Sequence, residues 1–586
     1  MVSANSKDLE NRLNLVLDEF KPSNWSDIAK ILHQIKRINL NSIIINKQNY
    51  LFHFAKGTAF ITFNFGIDGV SIEISKYSKI LEEIFELFSE SHLHMIAGNF
   101  QPEASSILRN NWSRFQIEGI DGWDKWDEGK WFRALFRKEI KPNSQKSKVL
   151  AQEIFQQSVS IAKQLGKYLI DEQITLLIPV NILSNPGNMA LALGVVLVTE
   201  LLGIYVLNSN HDFYWESGKS ADNRKPDEKI GFRDHFFRNI NHKSFFRLFQ
   251  SLYPWNGTRW LQVNINPRQT RRLINRSGLP KEKMQEISTS VDDRFFENYS
   301  SQDVKYARQR MALILSNGEP RLLSKSIRQH INALGEWMVK QKPVLIGSRS
   351  NLEVNPKSDE LIILLQPTRI IARKRIERNI ALIRALMKRS SFGKEFIDNS
   401  KKQLVLHITG PTPIEHQKDL KKILLAYKKM VEMLSDDVSQ RIFIAFSVGQ
   451  EDHSVFSEYG FEPMTIDSIY RMANVVVFPS ETEGRGLPII EASAIGIPII
   501  CSKYYPKEVF ENVIGKSHPN KMQIKYMLFP EKNFSKGFLE DVSRILISPR
   551  QEIQSVAHNR ISVQARYSKQ ALRKKFEGLL AQLSKL

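Results

Sequence analysis

A chain of 586 residues, 42% hydrophobic and 25% charged, carries enough apolar matter for more than one core, which excludes a disordered chain or one small domain. Its single cysteine, Cys501, excludes an intramolecular disulfide framework and a cysteine-based zinc site, and fits a reducing cytoplasm. The formal net charge of +21 implies an anionic partner, a role that nucleotide diphosphates, acidic acceptors, anionic lipid and nucleic acid all satisfy.

The first 20 residues mix acids and bases without a continuous apolar run, unlike a secretory signal. Apolar spacing around Leu13, Leu15, Val16 and Phe20, and again at Ile28, Ile31, Leu32 and Ile35, predicts amphipathic helices, so residues 1–55 read as an N-terminal helical extension. From Ala59 an apolar strand runs to Phe65. A turn bounded by Gly66 and Gly69 follows, and then a helix with apolar Ile72, Tyr77, Ile80 and Leu81. Strands predicted at 94–97, 175–180 and 204–207 alternate with helices near 148–165 and 188–201, the pattern of a doubly wound parallel domain over 56–297. Residues 189–207 are the most membrane-like stretch, but Glu200 interrupts it and Gly194 and Gly203 punctuate it, so it reads as a buried helix and a buried strand.

Two groups of polar residues follow predicted strands of this domain. Asn188 would cap the next helix, and Asn185 could face a ligand. His211 and Asp212 come directly after the strand at 204–207, where open α/β sheets bind ligands. Trp215 belongs to an aromatic cluster that could form a sugar platform or a packed loop.

Residues 298–355 are basic and predicted helical, longer than a simple connection, and read as a helical insertion between two domains. A second α/β domain over 356–550 begins with a strand at 361–365, with further strands at 404–408, 442–446, 475–478 and 499–501. Residues 551–586 are helical. The first of these strands ends at Gln366-Pro367, and Arg369 and Lys374 follow five residues apart before an amphipathic helix. The strand at 475–478 breaks at Pro479-Ser480, passes Glu483, Gly484 and Gly486, and enters a small-residue helix carrying Glu491. Free N–H groups and the helix dipole favour phosphate at such a strand-to-helix loop. No Walker loop, His-Glu-x-x-His helix or Asp-x-Asp metal clamp stands in the chain.

The ordered string Pro479-Ser480, Glu483-Gly-Arg-Gly486-Leu487-Pro488, Glu491-Ala492 and Gly496-Ile-Pro498 resembles the C-terminal signature of the retaining GT-B glycosyltransferases, in particular glycosyltransferase family 4, the glycosyl transferases group 1. Arg485 stands where that family usually has an aromatic residue. The resemblance implies two doubly wound Rossmann-like domains with a cleft between an N-terminal acceptor domain and a C-terminal nucleotide-sugar domain. It implies that Glu483 contacts the transferred sugar, that Glu491 holds the ribose, and that Gly486 and Leu487 offer N–H groups to the diphosphate. Arg369 and Lys374 match the pair directed at that diphosphate, and His211 matches a histidine near the transferred sugar. Gly66 and Gly69 resemble the N-terminal glycine loop, Gly410 the strand-end glycine beside the nucleotide, and Val448-Gly449 the strand end near the base. Asp212 and Trp215 fall on the acceptor side.

The implied activity is transfer of a hexose from a nucleotide-diphosphate sugar to a hydroxyl of a carbohydrate, small acidic or lipid-linked acceptor, with no cofactor and no metal. The implied location is the cytoplasm, with peripheral contact at the inner face of a membrane as an option, and no nucleic acid is expected. Two alternatives stand beside it: a sugar phosphorylase or synthase on the same fold, and a non-catalytic protein that binds polyanions or a membrane surface.

Overall fold

Short apolar strands, each leading into a helix, assemble two separate parallel sheets in the computed structural model. It describes residues 2–586 except 41–48, 67, 89–90, 123–133, 136–137, 217–241, 411, 413–415, 448–455, 457–458, 463 and 549–552. The chain divides into one unit of Met1–Thr289 with Leu572–Leu586 and a second of Ser290–Ala571.

The sheet of the first unit contains β1 (Thr58–Ile61), β2 (Leu93–Ala97), β3 (Ser113–Gln116), β4 (Leu176–Pro179), β5 (Tyr205–Asn210), β6 (Trp260–Asn264) and β7 (Met284–Glu286). Its order is β3-β2-β1-β4-β5-β6-β7, every pair parallel. The order reverses between β1 and β4, which opens a crevice at their carboxyl ends. Strands β1, β2, β4, β5 and β6 are buried throughout, as a sheet covered on both faces requires. The membrane-like stretch is the wholly buried helix Met189–Leu202, closed by Gly203 in the left-handed conformation and followed by β5. Among the described residues no helix is long and apolar enough to cross a membrane.

Residues 1–55 are more closely integrated than an extension. Leu13 and Leu17 of helix Val2–Glu19, and Trp25 and Ile28 of helix Trp25–Ile35, lie in the same core as Ile154, Leu165 and Val198. A Cβ on Gly166 would stand 2.4 Å from Leu13 Cδ2, so glycine is what lets that contact form. Residues 572–586 also belong to this unit: Phe576 meets the Tyr77 ring edge-on at 5.0 Å, and Leu579, Leu580 and Leu583 are buried beside it.

The second unit contains β8 (Lys325–Ser326), β9 (Val344–Gly347), β10 (Leu361–Gln366), β11 (Gln403–Thr409), β12 (Ile442–Ser447), β13 (Val475–Phe478), β14 (Ile499–Cys501) and β15 (Met527–Leu528). The order is β8-β9-β12-β11-β10-β13-β14-β15. The six strands from β12 to β15 run parallel, and β9 is antiparallel to β12. Here the order reverses between β10 and β13.

The stretch 298–355 differs from a helical insertion. After helix Ser301–Ser316 it supplies β8 and β9 to the sheet, and Leu322–Leu323 pairs antiparallel with Glu353–Val354. Leu322, Leu345 and Val354 share a core with Val405 and Phe443. Two of its cations are structural. Arg308 donates to the Met472 carbonyl and to Asn474 Oδ1, both at 3.1 Å, and Arg310 to the Glu462 carbonyl at 3.0 Å and Ser468 Oγ at 2.8 Å. Burial lowers the Arg308 pKa to about 10.

Two predictions follow from these cores. Trp25 is 1% exposed, donates from Nε1 to Ser147 Oγ at 2.9 Å and meets Phe245 edge-on at 4.9 Å. Trp25→Ala should therefore cost about 3–5 kcal/mol in urea unfolding, which an independent N-terminal extension would not show. His407 on β11 is fully buried with Nε2 2.8 Å from Ser447 Oγ, and burial pushes its pKa down to about 3. Between pH 6.5 and about 3 the unfolded chain takes up a proton there that the folded chain refuses, so stability is lost as pH falls through that window. His407→Leu should remove about 1.4 kcal/mol per pH unit from the acid slope of the unfolding free energy, whatever it does at pH 8.

Candidate active site

The loop after β13 lies at the carboxyl side of the switch point and is stitched to the loops on either side. Glu481 N–H donates to the Arg373 carbonyl at 2.8 Å, Tyr505 N–H to the Glu481 carbonyl at 2.8 Å, and Glu483 N–H to the Tyr505 carbonyl at 3.0 Å. Gly486 then has φ +73°, and a Cβ there would stand 2.2 Å from the Tyr504 hydroxyl, so the residue must be glycine for two independent reasons. It opens helix Leu487–Ile495, which has Pro488 in its first turn and no side-chain cap. The first N–H groups of a helix, here beginning at Leu487, lack intrahelical partners and favour an anion.

The neighbouring loop, after β10, is built around Gln366. Its side chain donates to Thr368 Oγ1 at 2.8 Å and accepts from Asn379 Nδ2 at 2.7 Å. Gly410, at the end of β11, approaches so closely that a Cβ would fall 2.6 Å from the Thr368 carbonyl carbon and 2.7 Å from the Arg369 nitrogen. A short turn, Ala372–Lys374, ends at Arg375 with φ +51°. Lys374 is buried, and its Nζ lies 2.5 Å from Oε1 of the buried Glu483. Burial lowers the Lys374 pKa, Glu483 opposes that shift, and Arg373 and Arg369 add to it.

The other cations of this loop divide by partner. Arg373 donates to the Thr482 carbonyl at 2.6 Å and stands 3.8 Å from Glu483 Oε2. Arg375 pairs with Glu377 at 3.2 Å and with Glu481 at 3.5 Å. Arg369 is exposed and makes no hydrogen bond or ion pair to a described residue. The loop thus carries a buried lysine paired with Glu483 and an exposed arginine whose charge that lysine feels.

Glu491, on helix Leu487–Ile495, accepts a 2.5 Å hydrogen bond at Oε2 from the hydroxyl of Tyr470. The bond spans 21 residues, and no periodicity in the sequence marks it. Ser480 and Ser502, after β13 and β14, have buried hydroxyls without a hydrogen bond to any described residue. Val448 and Gly449 lie outside the described residues. Among the described residues no cluster of three or more His, Cys, Asp or Glu side chains is placed to hold a metal ion.

In the first unit, Gly66 and Gly69 follow β1 at its switch point. Gly66 N–H donates to Ser71 Oγ at 3.2 Å, and a Cβ on Gly66 would stand 2.2 Å from Gln101 Oε1. Gly69 opens helix Gly69–Phe85, capped by Asp68, with open space where its Cβ would be. His211 is 8% exposed after β5, and its carbonyl accepts from Gln269 Nε2 at 2.8 Å. Asp212 N–H donates to Asn181 Oδ1 at 2.9 Å. Trp215 stacks on Phe213 at 4.0 Å with the Arg272 guanidinium 4.9 Å over its ring. Asn185 is buried, and Asn188 caps helix Met189–Leu202 through Leu191 N–H at 3.0 Å.

The comparisons with known proteins agree with this architecture. Residues 348–514 match the family model described as glycosyl transferases group 1. The chain is 26% identical over 224 residues to the mannosylglucosylglycerate synthase of Thermotoga maritima, covering 36% of this chain and 46% of that relative. It therefore spans about half the length of that protein. It is 21% identical over 462 residues to the protein of the same name from Petrotoga mobilis, covering 75% of this chain and 81% of the relative. A glycosyltransferase from Rickettsia africae superposes with a TM-score of 0.50 at 12% identity, over 90% of this chain and 99% of that one. The chain is thus an α/β protein of two Rossmann-like units, and its residues 348–514 match the glycosyl transferases group 1 model.

Gly486→Ala tests how tightly this loop is built. The left-handed backbone costs an alanine about 1–2 kcal/mol, before any clash with Tyr504 is counted. The variant should melt measurably lower than the parent, and Gly484→Ala, where a Cβ meets nothing within 4 Å, should melt close to it.

Proposed function

We propose that the chain is a retaining glycosyltransferase of family 4 that moves a hexose from a nucleotide-diphosphate sugar to a hydroxyl of a small acidic carbohydrate acceptor. The observation that carries this reading is the Lys374–Glu483 pair at the switch point, with Arg369 exposed beside it and the N-terminus of helix Leu487–Ile495 on the same loop. Negative charge grows on the departing diphosphate as its bond to the anomeric carbon breaks. Fixed cations and N–H groups stabilise that charge without reorganising, usually the largest catalytic contribution, and they can do so without a metal. Arg369, Lys374 and the N–H groups of Gly486 and Leu487 are assigned to the diphosphate, Glu483 to the sugar and Glu491 to the ribose. In the first unit, His211 is assigned to the sugar and Asp212 to the acceptor. Retention follows if the leaving phosphate takes the acceptor proton on the face it vacates, so that the protein supplies alignment and charge.

Two considerations support this acceptor. The net charge of +21 favours an anion, and the two relatives named mannosylglucosylglycerate synthase carry a glycerate in that name. A glycerate-bearing glycoside is therefore the first acceptor to try, against a neutral glycoside as control.

Arg369→Ala should leave the melting temperature nearly unchanged, because the side chain is exposed, yet lower turnover with the true donor about 100-fold or more. Glu491→Ala should lower kcat/KM for the donor by a similar factor. Wild-type turnover in both variants would sink the assignment. A thermal-shift panel of nucleotide sugars identifies the donor, since it stabilises the folded protein by mass action.

A further inference from the structure

Tyr470 has no place in the machinery assigned above, yet it is the best-defined partner of one of its members. It lies on helix Ile466–Arg471, just before β13, and Glu491 lies on the helix just after that strand. The ring is 0% exposed, packed edge-on against Phe295 at 5.7 Å in a core with Val476, Ile489 and Ile490. A rotamer enclosed in this way has little freedom, so the hydroxyl is a fixed point. From it the O–H donates to Glu491 Oε2 at 2.5 Å, the short distance of a charge-assisted bond.

We infer that Tyr470 is a positioning residue for nucleotide binding, fixing the Glu491 carboxylate in the orientation that accepts the ribose hydroxyls of the donor. The inference rests on the function proposed above, in which Glu491 holds the ribose. An ionised carboxylate has acceptor sites for about four donors, so one bond from Tyr470 orients it without exhausting it. A carboxylate held in one orientation before the ligand arrives spares binding the cost of ordering it. The buried hydroxyl holds its proton, since burial first and the Glu491 charge second raise its pKa well above 10.

The test compares two probes on the full chain: whichever of UDP, GDP and ADP stabilises it most, and the 2′,3′-dideoxy form of the same nucleotide. The parent should bind the ribonucleotide roughly tenfold or more tighter, as hydrogen bonds to a charged group allow. Tyr470→Phe keeps the ring and removes only the hydroxyl. It should lose most of that preference while binding the dideoxy nucleotide as the parent does, and in turnover it should raise the donor KM with kcat little changed. A merely structural tyrosine would weaken both nucleotides equally or neither, and either result overturns the inference. Equal binding of the two probes by the parent also overturns it, while leaving the nucleotide site in place.

If the parent binds no nucleotide, the functional reading itself fails, and the inference with it. Should Tyr470→Phe fold poorly, Glu491→Gln provides a second route. Its amide keeps one oxygen for Tyr470 and replaces the other with a donor, so the ribose preference should fall with the tyrosine intact. A preference that survives this change counts against the inference.

Discussion

The Lys374–Glu483 ion pair fixes the geometry of the second unit's loops, because neither charge could be buried without the other. Removing a charge from water costs several kcal/mol, and breaking a buried pair on one side leaves that cost uncompensated. Both backbones must therefore deliver their side chains to one point. They do so from adjacent parallel strands, β10 and β13, whose register pairs Leu364 with Val475 and Leu365 with Val476. Parallel strands that diverge in connectivity at that position leave a crevice at their carboxyl ends, where the loops that carry the pair begin. Under the function proposed, an arriving diphosphate meets a lysine already held in place and competes with Glu483 for it. Arg369, exposed and unpaired among the described residues, is the cation that needs no such exchange.

The surrounding contacts serve the same end. Glu481, Thr482, Glu483 and Tyr505 are bound backbone to backbone or backbone to guanidinium, so the loop is pinned on two sides before any ligand is present. Donors that do not move during reaction stabilise developing charge more than mobile ones. The two glycines that let the loops approach act in different ways. Gly410 permits backbone against backbone at Thr368 and Arg369, and Gly486 combines a left-handed turn with contact to Tyr504. A side chain at either would move one of the paired charges relative to the other.

What was legible in the sequence was local. The strand, loop and helix from Val475 to Ile495 could be read because Pro479, Gly486 and Pro488 mark the breaks within twenty residues, and Arg369 and Lys374 because a strand end and a helix start bracket them. Burial of helix Met189–Leu202 could be read from its length and from Glu200 and Gly203. The stretch 298–355 was misjudged because β8 and the Leu322–Leu323 strand hold two residues each, too few for alternation to register. Its arginines read only as basic composition, and the carbonyls of Met472 and Glu462 that bind two of them lie more than 150 residues away. Trp215 illustrates the same limit, since the Arg272 guanidinium over its ring comes from helix Pro267–Ser277, which the aromatic cluster in the sequence does not announce.

The first unit carries this argument further. The position of His211 after β5 is set by amides: Asn208 donates to Gln262 at 2.8 Å and Asn210 to Asn264 at 3.0 Å, along the register in which those residues face each other on β5 and β6. Gln262 passes the chain on to the Trp255 carbonyl at 2.8 Å, and Gln269 holds the His211 carbonyl. Asparagine is a poor strand former, so such residues weaken a strand prediction even where they organise its end. A buried amide ladder is tolerable only if nearly every member is satisfied, which ties each residue to partners on another strand or helix. The loop after β13 can be written as a motif because backbone geometry and a few charges define it. The strand ends of the first unit, held by cross-strand amides, leave no such string, and for that reason the two units differ so much in how plainly their sequences speak.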